Sequence, residues 1–319
     1  MRQLTKIILQ KSIAGILLLS VVNSTHAQTD IDGIMMEKNA FCIGPMFGYS
    51  SWKNYWEGTL KRDNLNLGKV STTMYSIMGN YGISNKLNIL FGLPYIKTKA
   101  SAGQLQGLKG VQDFSLWVKW KAYSKKMGQG RLSLFAIGGY SLPASDYTAD
   151  FLPMSIGLES KNLSLRAMAD YQRGSWFTTV SGTYVRRSNI TIDRNAYYTT
   201  EVHYSNEVKM PDAVSFNVRA GYRNKGLIAE AIVDNWTSLD GFDITRNNMP
   251  FPSNKMNATR IGFNFKYEMP FHPQLSLTGN ASATVSGRNV GQSTGFNAGI
   301  FYVIDFSKKT NTDSDKFKK

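Results

Sequence analysis

The sequence predicts an all-β fold, a transmembrane antiparallel β-barrel of about 12 strands, from three observations. The chain begins with a segment typical of export, and no later run approaches the roughly 18 apolar residues that a membrane-spanning helix needs. Segment after segment instead alternates apolar and polar residues, which is the pattern of a strand with one apolar face. Strands of about ten residues with aromatic side chains near their ends favour a membrane barrel over a soluble sandwich.

The first 27 residues have the order of a secretory signal peptide. Arg2, Lys6 and Lys11 precede an apolar run at 13–22, and small residues follow it up to Ala27. Cleavage is therefore expected near Ala27. The alternative is an uncleaved membrane anchor, which the shortness of the apolar run disfavours because it cannot span a bilayer as a helix.

The predicted strand at 258–269 illustrates the alternation. One face carries Ile261, Phe263, Phe265, Tyr267 and Met269, and the other carries Arg260, Asn264, Lys266 and Glu268. In a lipid-embedded barrel the apolar face contacts acyl chains and the polar face lines the lumen. A set of aromatic residues resembles an interfacial girdle, with an ordinary core as the alternative: Trp52, Tyr55, Trp56, Trp117, Trp120, Trp176 and Trp236.

Short and long joins alternate along the chain, as periplasmic turns and external loops do in bacterial barrels. The predicted strands lie near 41–50, 71–83, 87–96, 112–123, 131–141, 163–172, 176–187, 213–223, 227–236, 258–269, 275–286 and 295–306. A count of 14 is the alternative if 142–162 or 188–212 contains a further hairpin. The predicted division is a signal peptide at 1–27, a periplasmic segment at 28–40, the barrel at 41–306 and a polar disordered tail at 307–319.

The charge of the chain points to anionic surroundings. Its 37 basic and 22 acidic residues give a formal net charge of +15, and removal of the three basic residues of the leader leaves 34 basic residues and +12. Export and the scattered distribution of the basic residues argue against nucleic acid as a partner. The expected partners are outer-membrane lipid, lipopolysaccharide and a small-molecule solute. The oligomeric state stays open.

Several motifs at strand ends resemble one family. They are Tyr81-Gly82-Ile83, Leu93-Pro94-Tyr95, Gly107-Leu108-Lys109-Gly110-Val111-Gln112-Asp113, Gly138-Gly139-Tyr140-Ser141-Leu142-Pro143 and Ser181-Gly182-Thr183-Tyr184. They are similar to those of the Gram-negative outer-membrane transporters named for a meta-pathway of phenol degradation, a family distantly similar to the long-chain fatty-acid porins. Gln112 and Ala144 depart from the glycines typical of that family. The resemblance implies a barrel that passes small hydrophobic or aromatic compounds.

The main functional prediction is a porin-like channel or transporter, not an enzyme. Nine charged residues on the polar faces of predicted strands are candidates to line the lumen: Arg166, Asp170, Arg219, Arg223, Glu230, Asp234, Arg260, Lys266 and Glu268. Mixed charges in a narrow lumen would pair across it and either plug the pore or tune its selectivity. No cofactor is expected, and no metal site, because the sequence has neither a cysteine pair nor histidines at ligand spacing.

Two alternatives belong to other functional classes. His203 and Ser205 have the spacing of two residues that points side chains to one face of a strand, so a histidine could activate a serine hydroxyl there. An outer-membrane acyl hydrolase using this pair is the first alternative. The second is a structural or surface-interaction barrel with a closed lumen.

Overall fold

The computed structural model describes residues 29–244 and 250–307, and twelve long strands form its wall. They are β1 Ala40–Trp52, β2 Val70–Ser84, β3 Leu87–Ala100, β4 Asp113–Met127, β5 Gly130–Pro143, β6 Asn162–Arg173, β7 Trp176–Arg187, β8 Ala213–Asn224, β9 Leu227–Ser238, β10 Asn257–Met269, β11 His272–Arg288 and β12 Thr294–Asp305. Each strand pairs antiparallel with the next, and β1 also pairs with β12, which closes the sheet. The predicted count of twelve is confirmed and the alternative of 14 is wrong.

The alternation of side chains produces the two faces of this wall. On β10 the side chains of Ile261, Phe263 and Phe265 are exposed on the outside, whereas Lys266 and Glu268 are buried inside. Such an arrangement is the reverse of a soluble protein, in which apolar residues turn inward. It is stable when lipid surrounds the wall, because the apolar face then contacts acyl chains.

All five turns at one end of the barrel, the end predicted to face the periplasm, contain two residues, at 85–86, 128–129, 174–175, 225–226 and 270–271. Gly128, Gly174 and Gly226 have φ of 59°, 59° and 78°, the left-handed conformation that two-residue hairpin turns require. The outer joins are 53–69, 101–112, 144–161, 188–212, 239–256 and 289–293. The predicted alternation of short and long joins is therefore confirmed except at the last outer join, which has five residues.

The outer loops contain short strands outside the wall, including hairpins within 188–212 that add no strand to the barrel. They are Asn54–Glu57 with Leu60–Asp63, Lys109–Val111 along β3, Ile190–Thr191 with Glu207–Val208, and Tyr197–Tyr198 with Val202–His203. Apolar side chains of the loops pack into a core of their own around Ile192, Met210 and Phe251. These loops thus form a folded cap over the outer end of the barrel.

The N-terminal segment differs from the prediction. Residues 28–40 were expected in the periplasm, but residues 29–36 lie inside the lumen, where they contact β4, β6, β7 and β9. The physical reason is the apolar sequence Ile34-Met35-Met36, which removes its side chains from water by packing against interior wall residues. We call residues 29–36 the plug segment.

Four tryptophans depart from the predicted aromatic girdle. Trp236 lies on the interior face, 5.9 Å from the guanidinium of the buried Arg187, and Trp52 packs against a buried cluster of the outer loops. Trp117 lies on the interior face, where the Arg166 guanidinium is 5.1 Å from its ring, and Trp56 is buried beneath the 289–293 join. Trp120 and Trp176 are exposed on the outside, as a girdle requires. The predicted signal peptide and most of the predicted tail lie outside the described residues. Within 29–244 and 250–307, no helix has the length and apolar character needed to cross a membrane.

Candidate functional site

Lys119 attaches the plug segment to the wall. It lies in the middle of β4 on the interior face and its side chain is fully buried. The Lys119 ammonium donates hydrogen bonds to the backbone oxygens of Thr29 and Asp32, at 3.0 and 2.6 Å, and to Oδ1 of Asp32 at 3.0 Å. A charge removed from water in this way is stable only when it is paired, so Lys119 and Asp32 depend on each other.

Arg166 forms the second attachment. Its guanidinium Nη1 donates to the backbone oxygen of Asp30 at 2.9 Å and to Oδ2 of the same residue at 2.7 Å. Its Nε donates to Oγ1 of Thr183 at 2.7 Å, which orients the guanidinium from the neighbouring strand. Arg166 was predicted to line the lumen, and the structure places it there, in contact with a residue 136 positions earlier in the chain.

Apolar contacts and one glycine complete the attachment. Ile34 packs in a buried cluster with Phe177 and Ile228. At Gly33 the backbone passes so close to β6 that an added Cβ would lie 2.1 Å from Oδ1 of Asp170. Only glycine allows this approach without displacing either the plug segment or the carboxylate.

Charged pairs occupy the periplasmic half of the lumen. Arg219 bonds to Glu230 at 2.6 Å, and the two side chains are 6% and 2% exposed. Lys266 bonds to Glu268 at 3.2 Å on the same strand. Asp170, the fifth buried member, accepts hydrogen bonds from Thr179 at 2.6 Å and from Arg223 at 3.4 Å. The predicted candidates in this half therefore neutralise one another around the plug segment.

One predicted lumen pair lies nearer the outer end of the barrel. Arg260 on β10 bonds to Asp234 on β9 at 2.6 Å, and the arginine side chain remains 48% exposed. This pair is therefore accessible to water, whereas the pairs around the plug segment are buried. Two cavities of about 120 and 80 Å³ remain beside the plug segment, which is room for a few water molecules.

The cap carries a pocket of about 620 Å³ with aromatic walls. Tyr197 stacks on Phe251 with ring centroids 5.3 Å apart, and Phe242 packs on the same phenylalanine. Arg194 lies 5.7 Å from the ring of Phe251 and bonds to Asp150 at 2.6 Å. Such a pocket offers stacking faces together with a charged rim, which is the chemistry that aromatic compounds with polar substituents need.

An ion pair fastens the cap to the wall beside the last outer join. Arg288 donates to both carboxylate oxygens of Asp243, at 2.8 and 2.6 Å, and Asn289 donates to Oδ1 at 2.7 Å. The hydrogen bonds from Arg288 hold the pKa of Asp243 below its ordinary value, and the bond from Asn289 acts in the same direction. The 239–244 segment is therefore tied to the end of β11 at neutral pH.

His203 and Ser205, the alternative hydrolase pair, have other partners. Nε2 of His203 lies 2.8 Å from Oγ1 of Thr199, and its ring stacks on Tyr197 at 4.9 Å. The hydroxyl of Ser205 accepts a hydrogen bond from the Glu207 amide. Both residues thus have positions consistent with packing in the cap, and no hydrogen bond joins them within the described part of the chain.

Three residues of this site, Asp30, Asp32 and Lys119, were not predicted from the sequence. Lys119 alternates with Val118 and Trp120 within a predicted strand, so its interior position could have been deduced from strand periodicity. The two aspartates precede β1 in a segment without strand periodicity. A signal for the plug segment was nevertheless present in Ile34-Met35-Met36, because three consecutive apolar side chains gain stability when they are removed from water.

The closed twelve-stranded wall, with its apolar exterior and charged interior, defines an outer-membrane β-barrel. Residues 63–300 match the family described as "Putative MetA-pathway of phenol degradation". The chain therefore belongs to this family, as its strand-end motifs predicted. No curated protein sequence matches it.

Solved structures with a similar fold include bacterial outer-membrane barrels. An outer-membrane channel from Pseudomonas putida F1 is 14% identical, with a TM-score of 0.68 over 88% of this chain and 100% of that one. The translocator domain of autotransporter NalP from Neisseria meningitidis is 10% identical, with a TM-score of 0.43 over 93% and 97%. A mutant of the monoaromatic hydrocarbon channel TodX is also 10% identical, with a TM-score of 0.42 over 85% and 91%. The fold comparison rests on the first of these.

Proposed function

We propose that the protein is an outer-membrane channel for small solutes whose pore is closed by the plug segment. The proposal is supported by the nature of the segment that closes the lumen. The periplasmic half of the lumen is filled by a segment that takes no part in the wall and is held by two ion pairs and apolar contacts. Such a segment can leave without breaking the sheet, whereas a barrel filled by its own wall residues cannot open in this way.

The cap supports a solute class for this channel. The aromatic pocket lies among the outer loops, and the partly exposed Arg260–Asp234 pair lies on the interior face near the same end of the barrel. A small aromatic compound would stack in the pocket and then pass this pair on its way to the plug segment. The description of the family, which refers to phenol degradation, agrees with this class.

Location and general partners follow from the same proposal. We place the barrel in an outer membrane after cleavage near Ala27, with lipid around the apolar exterior. The charged interior residues, including Arg219 and Glu230, would then set the selectivity of the opened pore. We propose no enzymatic role, because His203 and Ser205 each bond to other groups.

Planar-bilayer recording and liposome uptake test the proposal. Wild-type protein should give brief openings, and a variant lacking residues 29–36 should give long-lived ones. Uptake of a phenol or an aromatic carboxylate into liposomes should exceed uptake of a sugar of similar mass. If neither protein conducts nor transports any of these solutes, the channel is refuted and the closed structural barrel becomes the better interpretation.

A further inference from the structure

Four lysines form a cluster on the exterior of the barrel, close to the end that carries the long loops. Lys69, Lys97, Lys99 and Lys109 are all exposed. Lys97 and Lys109 lie directly opposite each other on paired strands, and Lys99 is two residues further along β3 on the same face. The ammonium of Lys69 is 5.9 Å from the ring of Tyr49, whose side chain belongs to the exterior. We call these four residues the lysine cluster.

The lysine cluster lies at the extracellular edge of the membrane-spanning wall. β3 begins at Leu87 beside a periplasmic turn, and Lys97 is its eleventh residue. A transmembrane strand crosses the hydrocarbon region in about 9 to 11 residues. Tyr95, two residues before Lys97 on the same face, is exposed at the level where aromatic rings meet head groups. Lys97 is therefore at the level of the outer head groups.

Nothing in the described chain compensates these charges. Like charges directly opposite on paired strands repel each other, so the pairing of Lys97 with Lys109 is unfavourable on its own. None of the four lysines belongs to an ion pair within residues 29–244 and 250–307. The outward positions of β1 to β4 contain no aspartate or glutamate. The four ammonium groups are therefore available to an external anion.

An apolar groove of about 840 Å³ lies directly beneath the lysine cluster. Its walls include Phe47, Tyr75, Ile77, Leu93 and Tyr95 on three neighbouring strands. Lys97 is only two residues, roughly 7 Å, beyond Tyr95 along β3. One molecule with an anionic head and apolar tails could therefore contact the cluster and the groove together.

We propose that this surface binds lipid A, the phosphorylated and multiply acylated glycolipid of the outer leaflet. Its phosphates would accept hydrogen bonds from the lysine cluster, and its acyl chains would lie in the apolar groove. The extracellular level of the cluster selects this lipid over phospholipids of the inner leaflet, which meet the opposite rim. The inference rests on the proposed location in an outer membrane and is independent of the proposed pore.

Lipid titration of the detergent-solubilised full barrel tests the proposal. The probes are bisphosphorylated lipid A, its dephosphorylated form and phosphatidylglycerol, with bound lipid counted by native mass spectrometry. The variant combines Lys97→Gln with Lys109→Gln. The matched control combines Lys125→Gln with Lys126→Gln, which removes the same charge from exposed positions at the periplasmic end of β4. Heat-modifiable migration verifies that each protein is folded.

We expect the Lys97/Lys109 variant to bind lipid A about 30-fold more weakly than wild type, since each lysine near an anionic surface contributes roughly a fivefold factor. The control should retain wild-type affinity, and the dephosphorylated probe should bind poorly to all three proteins. Equal losses in both variants, or equal binding of phosphatidylglycerol and lipid A, would overturn the proposal. Conductance measured on the same variants should be unchanged, so loss of the pore and loss of the lipid site remain distinguishable.

Discussion

Replacement of Lys119 by methionine should open the pore. Methionine fills nearly the same volume as the lysine stem but donates no hydrogen bond. The change removes the three bonds that the ammonium makes to Thr29 and Asp32 and leaves the Asp32 carboxylate without its cation. The plug segment would still be held by Arg166 and by the apolar contacts of Ile34.

The magnitude follows from the burial of this pair. The Lys119 side chain has no exposure and that of Asp32 has 12%. Removing one partner of a buried ion pair costs about 3 to 5 kcal/mol, which changes an equilibrium constant by a factor of roughly 10² to 5 × 10³. A plug segment that leaves the lumen for about 0.1% of the time would then be absent for roughly a tenth to four fifths of the time.

Single-channel recording in planar bilayers measures this shift directly. We expect the open fraction of Lys119→Met to rise at least 100-fold while the conductance of the open state stays constant, because the wall is unchanged. Lys125→Met is the matched control, since Lys125 is exposed at the periplasmic end of the same strand. Wild-type open fractions in both Lys119→Met and the variant lacking residues 29–36 would refute the assignment of this segment as the block.

Three further changes test other contacts. Gly33→Val should also raise the open fraction, because its Cβ would meet the Asp170 carboxylate at 2.1 Å; an unchanged recording would contradict the close approach. Phe251→Ala should remove a stacking partner from the cap and make the outer loops more sensitive to protease, with heat-modifiable migration of the barrel preserved. Because the pKa of Asp243 is lowered by its bonds from Arg288, the stability of this junction is present above the ordinary aspartate pKa of about 3.9 and is lost as pH falls through the lower folded value. The backbone amides of residues 239–244 should therefore exchange hydrogen faster in acid, after correction for intrinsic rates. In the Asp243→Asn variant the same amides should exchange rapidly even at pH 7. Protection that does not depend on pH would show that the ion pair does not stabilise this junction.

The strands of the wall could be predicted because the alternation of apolar and polar residues is a local pattern in the sequence. Each long strand repeats with a period of two, and the predicted strand at 176–187 coincides with β7 while 227–236 ends two residues before β9 does. The same periodicity assigned Arg219, Glu230 and Lys266 to the interior face. Their role in solute passage stays a prediction. Their partners, in contrast, depend on which residues of neighbouring strands are opposite each other.

The plug segment could not be predicted from periodicity. Asp30 reaches Arg166 and Asp32 reaches Lys119 across more than 80 positions of sequence, so no local pattern connects them. The cap presents the same difficulty, because its core combines residues of three separate loops around Phe251. Non-local contacts of this kind are decided by the closure of the whole barrel.

The sequence by itself determined a twelve-stranded barrel with an apolar exterior and a charged interior, because alternation along a strand sorts side chains between lipid and lumen. Only the tertiary structure decided that residues 29–36 enter the lumen and bond to Lys119 and Arg166. It also brought Lys97 opposite Lys109 above an apolar groove. The physical reason is that strand register and the path of the N-terminal segment depend on packing between residues far apart in the chain. The face of the wall on which a side chain lies depends only on its position along its own strand.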